Sequence, residues 1–173
     1  AADGKDPLDW MLDFALTEDF DTVFTAVLLN SDEDAVGRMI RHPNASVALS
    51  DAGAHLTFFC DAGFGLHMLG HWVRERGHLT LEAAVHELTG KPARIFRIPE
   101  RGRIAPGCHA DLMLFDPATV GRSPNRRVFD MPGGGPRLTT DAVGLHGVWV
   151  NGVRVGGDNG GARPGRLLRD FDA

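Results

Sequence analysis

Val47-Ala48-Leu49-Ser50-Asp51-Ala52-Gly53-Ala54-His55 is the stretch on which the reading of the fold turns. A short apolar run ends in one acid on a glycine-softened turn. In a barrel of alternating strands and helices the chemistry sits at the C-terminal ends of the strands, so Asp51 would face the mouth of such a site. Strand-Asp-Ala-Gly is equally an ordinary Asx-turn exit, and these residues alone leave both readings open.

Working outward, Thr22-Val23-Phe24-Thr25-Ala26-Val27-Leu28 is β-branched and apolar, which predicts a strand buried on both faces of a parallel sheet. Ser31-Asp32-Glu33-Asp34 then opens a helix to about Ile40, which His42-Pro43 stops before Val47 to Ser50 forms the next strand. Strand, helix and strand in that order argue a βαβ unit. Before it, Asp6 caps a helix with Pro7 at its first position and Leu8, Met11, Leu12 and Ala15 on one buried face. After it, Leu66–Arg76 is helical up to Gly77, Thr80 caps a helix over Leu81–Thr89 closed by Gly90, and Lys91–Phe96 is a short helix with Pro in its first turn. The texture then changes. Ala110–Pro117 reads as a strand and a turn, and Val148–Val155 as a hairpin about Asn151-Gly152. A boundary near Ile98 separates an α/β part, 1–98, from a β-rich part, 99–173, with a flexible glycine-rich tail at 156–161.

The chain has 173 residues, enough for a real core but short of the roughly 200 or more of a complete (β/α)₈ barrel. Lys and Arg total 18 against 23 Asp and Glu, and no basic block rich in aromatics occurs, which argues against nucleic acid as a partner. Cys60 and Cys108 form no C-x-x-C pair and read as buried or idle thiols. From Ala1 onward there is no basic n-region, apolar h-region or run of 18 apolar residues, so neither a secretory signal nor a membrane span is expected in this segment, and a cytoplasmic location is.

His67 and His71 are four apart on a predicted helix, a spacing that lets two imidazoles meet one metal, but the Glu after the first His is missing and side-chain packing is the better reading. Gly63-Phe64-Gly65 resembles an anion-cradling turn with its third glycine misplaced. There is no Walker A sequence, G-x-S-x-G elbow or nucleophile triad.

Taken in order, Asn30–Val36, Leu49–His55, Leu69–Gly77, Leu79–Val85, Thr89–Arg94, Arg101–Gly107, Ala110–Pro117 and Val150–Gly152 resemble the D-aminoacylase (N-acyl-D-amino-acid deacylase) branch of the metal-dependent amidohydrolases. The run Arg101-Gly102-x-Ile104-x-Pro106-Gly107-x-x-Ala110-Asp111-Leu112 is shared by many amidohydrolases. Ser50–His55 and Leu69–Arg74 narrow the match to this branch. The resemblance implies the C-terminal part of a TIM-type (β/α)₈ barrel followed by part of a small β-sandwich, and a zinc site at the barrel mouth. It makes Asp51 the general base that takes a proton from metal-bound water and hands it to the leaving amine, and at most a weak metal ligand. Gly53 and His55 are implied substrate contacts, and the substrate is a small N-acyl amino acid or related amide.

The family's His-x-His pair, bridging ligand and further histidines have no counterpart here. The chain therefore looks like the C-terminal third of such an enzyme, its partner being the missing N-terminal portion. Alone it should be inactive, because free water is about nine pK units less acidic than the zinc-bound species. Strands without neighbours should drive homo-oligomer formation. Two further readings are a hydantoinase- or dihydroorotase-like cyclic amidohydrolase and a non-catalytic assembly module. An upstream His-x-His with its further ligands separates the enzymes from the module.

Overall fold

The computed structural model describes residues 4–24, 26, 29–47, 49–156 and 161–169, which form two compact units, 1–36 and 37–173. In the first, α1 spans Pro7–Thr17. The Asp6 carboxylate accepts a hydrogen bond from the Leu8 amide at 2.9 Å, and Pro7 occupies the first turn, where no amide hydrogen is needed. Trp10 and Phe14 stack at 5.0 Å, one turn apart. The apolar stripe of α1 is present but not covered: none of its residues is buried, and Leu8 and Leu12 lie exposed.

The strands expected over 22–28 and 47–50 are not formed in their described residues, which are irregular; Thr25, Val27, Leu28 and Ala48 lie outside the described residues. A strand meant for the middle of a parallel sheet needs hydrogen-bonded neighbours and cover on both faces. No described segment pairs with either run, and Val23 and Leu49 are 77% and 71% exposed. Between them α2 (Glu33–Ile40) forms as expected, the Asp32 carboxylate accepting from the Ala35 amide at 2.9 Å.

The second unit is built on helices that begin with α3 (Phe64–His67) and continue without a break into a π-helical segment, Met68–Glu75. The Arg76 amide reaches back five residues to the His71 carbonyl at 2.8 Å, the wide ladder that defines this helix. It closes where the His78 amide bonds the Trp72 carbonyl at 2.9 Å, around Gly77 at φ +63°. Thr80 caps α4 (Leu81–Leu88) through its hydroxyl, which accepts from the Ala83 amide at 3.2 Å. Thr89 then breaks the helix, and Gly90 opens α5 (Gly90–Ile95) rather than closing α4.

Cys60 from the loop before α3, Met68, Leu69 and Trp72 from the π-helical segment, Leu79, Ala84 from α4, Ala93 from α5 and Val120 are buried and form the core of the described residues. Leu69 and Val120 are almost fully enclosed, each worth about 1.5–3 kcal/mol relative to exposure. Lys91 is buried as well, its ammonium held by both oxygens of Glu87 at 2.9 and 2.7 Å.

From Leu112 onward the chain turns to strands, and every pairing between them is antiparallel. The strands β1 (Leu112–Phe115), β6 (Leu145–Val150) and β7 (Val153–Val155) form one sheet in the order β1-β6-β7. Asn151 and Gly152, at φ +48° and +79°, make the turn of the expected hairpin. Two ribbons complete the unit: β2 (Gly121–Arg122) with β5 (Ala142–Val143), and β3 (Arg126–Val128) with β4 (Arg137–Thr139). Of the glycine-rich tail, Gly157–Gly160 lie outside the described residues, while Asn151 donates to the Pro164 carbonyl at 2.6 Å.

Candidate functional site

Asp51 stands on an exposed turn with φ +53°, a left-handed conformation uncommon for a residue other than glycine, asparagine or aspartate. The Ser50 hydroxyl fixes the turn by accepting from the Ala52 amide at 3.1 Å, so the short-range bond comes from Ser50 and not from Asp51. The Asp51 carboxylate makes no hydrogen bond or ion pair with a described residue, and nothing in the turn consumes its acceptor capacity. Gly53, at φ +108°, and His55, at φ +52°, continue the same exposed turn.

Beyond it the loop is fastened to the β-rich part. The Leu138 amide donates to the Leu56 carbonyl at 2.7 Å, Arg127 to the Thr57 carbonyl at 3.0 Å and Asn125 to the Cys60 carbonyl at 3.3 Å. The loop that carries Asp51 is thus held by residues about 65 to 80 positions further along.

His67 and His71 lie nearby in sequence but at a separate cleft of about 380 Å³, between the π-helical segment and residues 121–125. Their rings stack face to face, centroids 4.8 Å apart and 11° from parallel. Two imidazoles that share an ion aim their edges at it, so this geometry is that of packing, as expected from the sequence. Burial, then the neighbouring His71 and Arg122, hold the His67 imidazole below the usual histidine value, which leaves it neutral at pH 7. His71 Nδ1 lies 3.0 Å from Glu75; a carboxylate only accepts, so the ring donates and holds Glu75 below the usual carboxylate value.

Sequence reading missed three lining residues of this cleft. Arg74, inside the Leu69–Gly77 run, donates to the Val120 carbonyl at 2.5 Å and so bolts the helix to β2. Arg122 and Asn125, bonded to each other at 2.9 Å, come from some fifty residues downstream and carry no motif that marks them. Gly70 makes the close approach possible: a Cβ there would stand 2.8 Å from the Val120 carbonyl oxygen.

The structure also explains the shared run from Arg101 to Leu112. Arg101 donates to Asp111 at 2.8 Å, and the other Asp111 oxygen accepts the Asn151 amide at 2.8 Å. Asp111 therefore ties the Arg-Gly loop, the start of β1 and the hairpin turn together. The Asn151 amide, ahead of Arg101, holds its carboxyl below the usual range.

No group of three or more His, Cys, Asp or Glu among the described residues could hold a metal ion. Asp51 does not make a zinc centre with the described residues. No helix among them is long and apolar enough to cross a membrane.

Residues 5–155 match the model of the amidohydrolase family (Amidohydro_3), and the chain belongs to that family. It is 35% identical over 154 residues to the N-acyl-D-aspartate deacylase of Alcaligenes xylosoxydans xylosoxydans, covering 86% of this chain and 28% of the relative. It is 37% identical over 149 residues to the N-acyl-D-glutamate deacylase of the same organism, covering 83% and 28%. The solved N-acyl-D-glutamate deacylase of Bordetella bronchiseptica, complexed with zinc and a phosphonate mimic of the tetrahedral intermediate, is similar in structure with a TM-score of 0.62 and 37% identity, over 80% of this chain and 28% of that one. The chain thus spans little more than a quarter of the length of these relatives.

Proposed function

We propose that the chain is the C-terminal portion of a zinc-dependent amidohydrolase that cleaves the amide of an N-acyl-D-amino acid. In this reading residues 1–98 contribute the last part of a (β/α)₈ barrel and 99–173 part of a small β-sandwich. The observation that carries it is the match over residues 5–155, with relatives named for this activity along most of the chain. The Bordetella enzyme is complexed with zinc; in this reading the metal of the longer enzyme is held by residues outside this chain.

Within the proposal Asp51 is the proton carrier. Its unengaged carboxylate accepts the proton of the attacking water and returns it to the amine as the C–N bond breaks. A carboxylate already bonded to its own turn would have to give up those bonds first; Asp51 has none to give up. Gly53 leaves room beside it for substrate backbone, and His55 is a polar contact on the same turn. The apolar runs at 22–28 and 47–50 are covered by the rest of the enzyme, and in the isolated chain by a second copy.

In the longer deacylase, Asp51→Asn should lower kcat by roughly 10²–10⁴-fold while bound zinc stays constant. A variant keeping more than half its rate makes Asp51 a turn former only. In parallel, residues 1–173 alone should bind zinc no tighter than about micromolar and hydrolyse no N-acyl-amino acid, for want of the ligand set; stoichiometric zinc with deacylation would overturn the assignment of the metal to other residues.

A further inference from the structure

We infer that the cleft between α5 and the loop 97–103 binds a small ligand carrying two or more phosphate or carboxylate groups. The cleft, about 480 Å³, is lined by Arg94, Arg97, Arg101 and Arg103, with Glu100 as its single acid. One guanidinium is committed, Arg101 to Asp111 at 2.8 Å. Arg94, Arg97 and Arg103 make no side-chain hydrogen bond or ion pair with a described residue, and Glu100 turns toward His109 Nε2 at 3.5 Å. Three guanidiniums with no hydrogen-bond or ion-pair partner among the described residues share one cleft with a single carboxylate, on a chain whose net charge is -5.

The backbone under them is built. The Ile98 amide bonds the Ala93 carbonyl at 2.8 Å and the His109 amide bonds the Glu100 carbonyl at 2.9 Å. Gly102 packs so closely on the α4–α5 junction that a Cβ would stand 2.6 Å from that of Ala93 and 2.9 Å from the Thr89 carbonyl oxygen. Arg97 and Glu100, at φ +51° and +54°, hold a conformation that neither residue type favours. A rarely adopted backbone that persists is a reason to look for a ligand.

The chemistry follows from the side chains. Guanidinium forks match oxyanions two hydrogen bonds at a time, and such charge-assisted bonds are the strong ones. Gathering three like charges is unfavourable until an anion arrives, and one monovalent ion cannot satisfy three forks. A polyphosphate or polycarboxylate can, and the volume suits a small molecule.

The test is calorimetric titration of the chain with inorganic pyrophosphate and, in a second arm, citrate, at about 50 mM salt, where screening is weak. One saturable site is expected, with Arg94→Gln, Arg97→Gln and Arg103→Gln each weakening it about tenfold and Arg97→Lys falling between. Arg166→Gln, an exposed arginine elsewhere, should leave the affinity unchanged. Tighter binding of pyrophosphate assigns phosphate as the source of the anion, and tighter binding of citrate assigns carboxylate; either supports the site. All variants should keep the thermal unfolding of the parent, since the altered side chains are exposed. No saturable binding of either anion, or an equal loss in Arg166→Gln, would overturn the proposal.

Discussion

Replacing Lys91 by Met removes a cation that is 4% exposed and strands the carboxylate it neutralises. In the parent chain Lys91 reaches both Glu87 oxygens, at 2.9 and 2.7 Å, from one turn further along the helix pair. The Glu87 side chain is itself only 13% exposed, so water cannot take over the role of the ammonium without opening the core around Ala84 and Ala93. An exposed ion pair of this spacing would contribute about 0–1 kcal/mol. Removing one partner of a buried pair costs about 3–5 kcal/mol, because the remaining charge keeps its desolvation penalty. Methionine nearly conserves the volume, so the cavity term is small. At roughly 2–4 °C per kcal/mol for a chain of this size, Tm should fall by about 6–20 °C.

Urea unfolding followed by tryptophan fluorescence measures this directly, since Trp72 sits in the same core and packs edge-on against His71 and His78. The decisive comparison is the double variant Glu87→Leu with Lys91→Met. With both charges gone it should return to within about 1 kcal/mol of the parent. If Lys91→Met alone costs under about 1 kcal/mol, or if the double variant is as unstable as the single one, the pair is solvated in effect and the reasoning from burial fails.

Gly70→Ala should destabilise by about 1–2 kcal/mol despite a gain in helix propensity of about 1 kcal/mol, because the new methyl meets backbone of Val120 and Gly121 at 2.8 and 3.2 Å; a variant more stable than the parent in urea would show that β2 can move away freely. The Asp111 carboxyl is depressed, so its stabilisation is present above about pH 4 and disappears as pH falls through its folded value; Asp111→Asn should therefore be less stable than the parent at pH 7, with the deficit shrinking as pH is lowered below the ordinary carboxylate range, and a deficit independent of pH would contradict this. Light scattering over a dilution series should show residues 1–173 as a dimer or larger, with Val23, Phe24 and Leu49 covered between copies; a cooperatively unfolding monomer at every concentration would mean that these segments pack internally.

What could be read from the sequence was what residues a few positions apart decide among themselves. Asp6 with Pro7, the cap at Thr80 and the Asn151-Gly152 turn all form where they were expected, and α2 starts within the expected Ser31–Asp34 stretch with Asp32 as its cap, because each needs only its own neighbours. The contact of His67 with His71, four residues on, is local in the same way, although the π-helical winding of Met68–Glu75 has no local signature. The apolar runs at 22–28 and 47–50 have strand composition, but pairing is a property of two segments, and no described partner lies beside them. Of the proposed site, Asp51 was legible as an acid on a turn; the absence of any described partner for its carboxylate was not.

Tertiary structure alone decided the rest. It joined Arg122 and Asn125 to the histidine cleft, closed Lys91 in the core with Glu87, bound Arg101 to Asp111 and brought Arg94, Arg97 and Arg103 to one cleft with no ion-pair partner among the described residues. Family membership lies in the sequence, because the motif residues that mark it occur in a fixed order along the chain. Which of those residues end up buried, paired or left open depends on the fold as a whole, including contacts such as Arg74 to Val120 and Asn151 to Asp111 that span forty or more positions and exist only once the chain has folded.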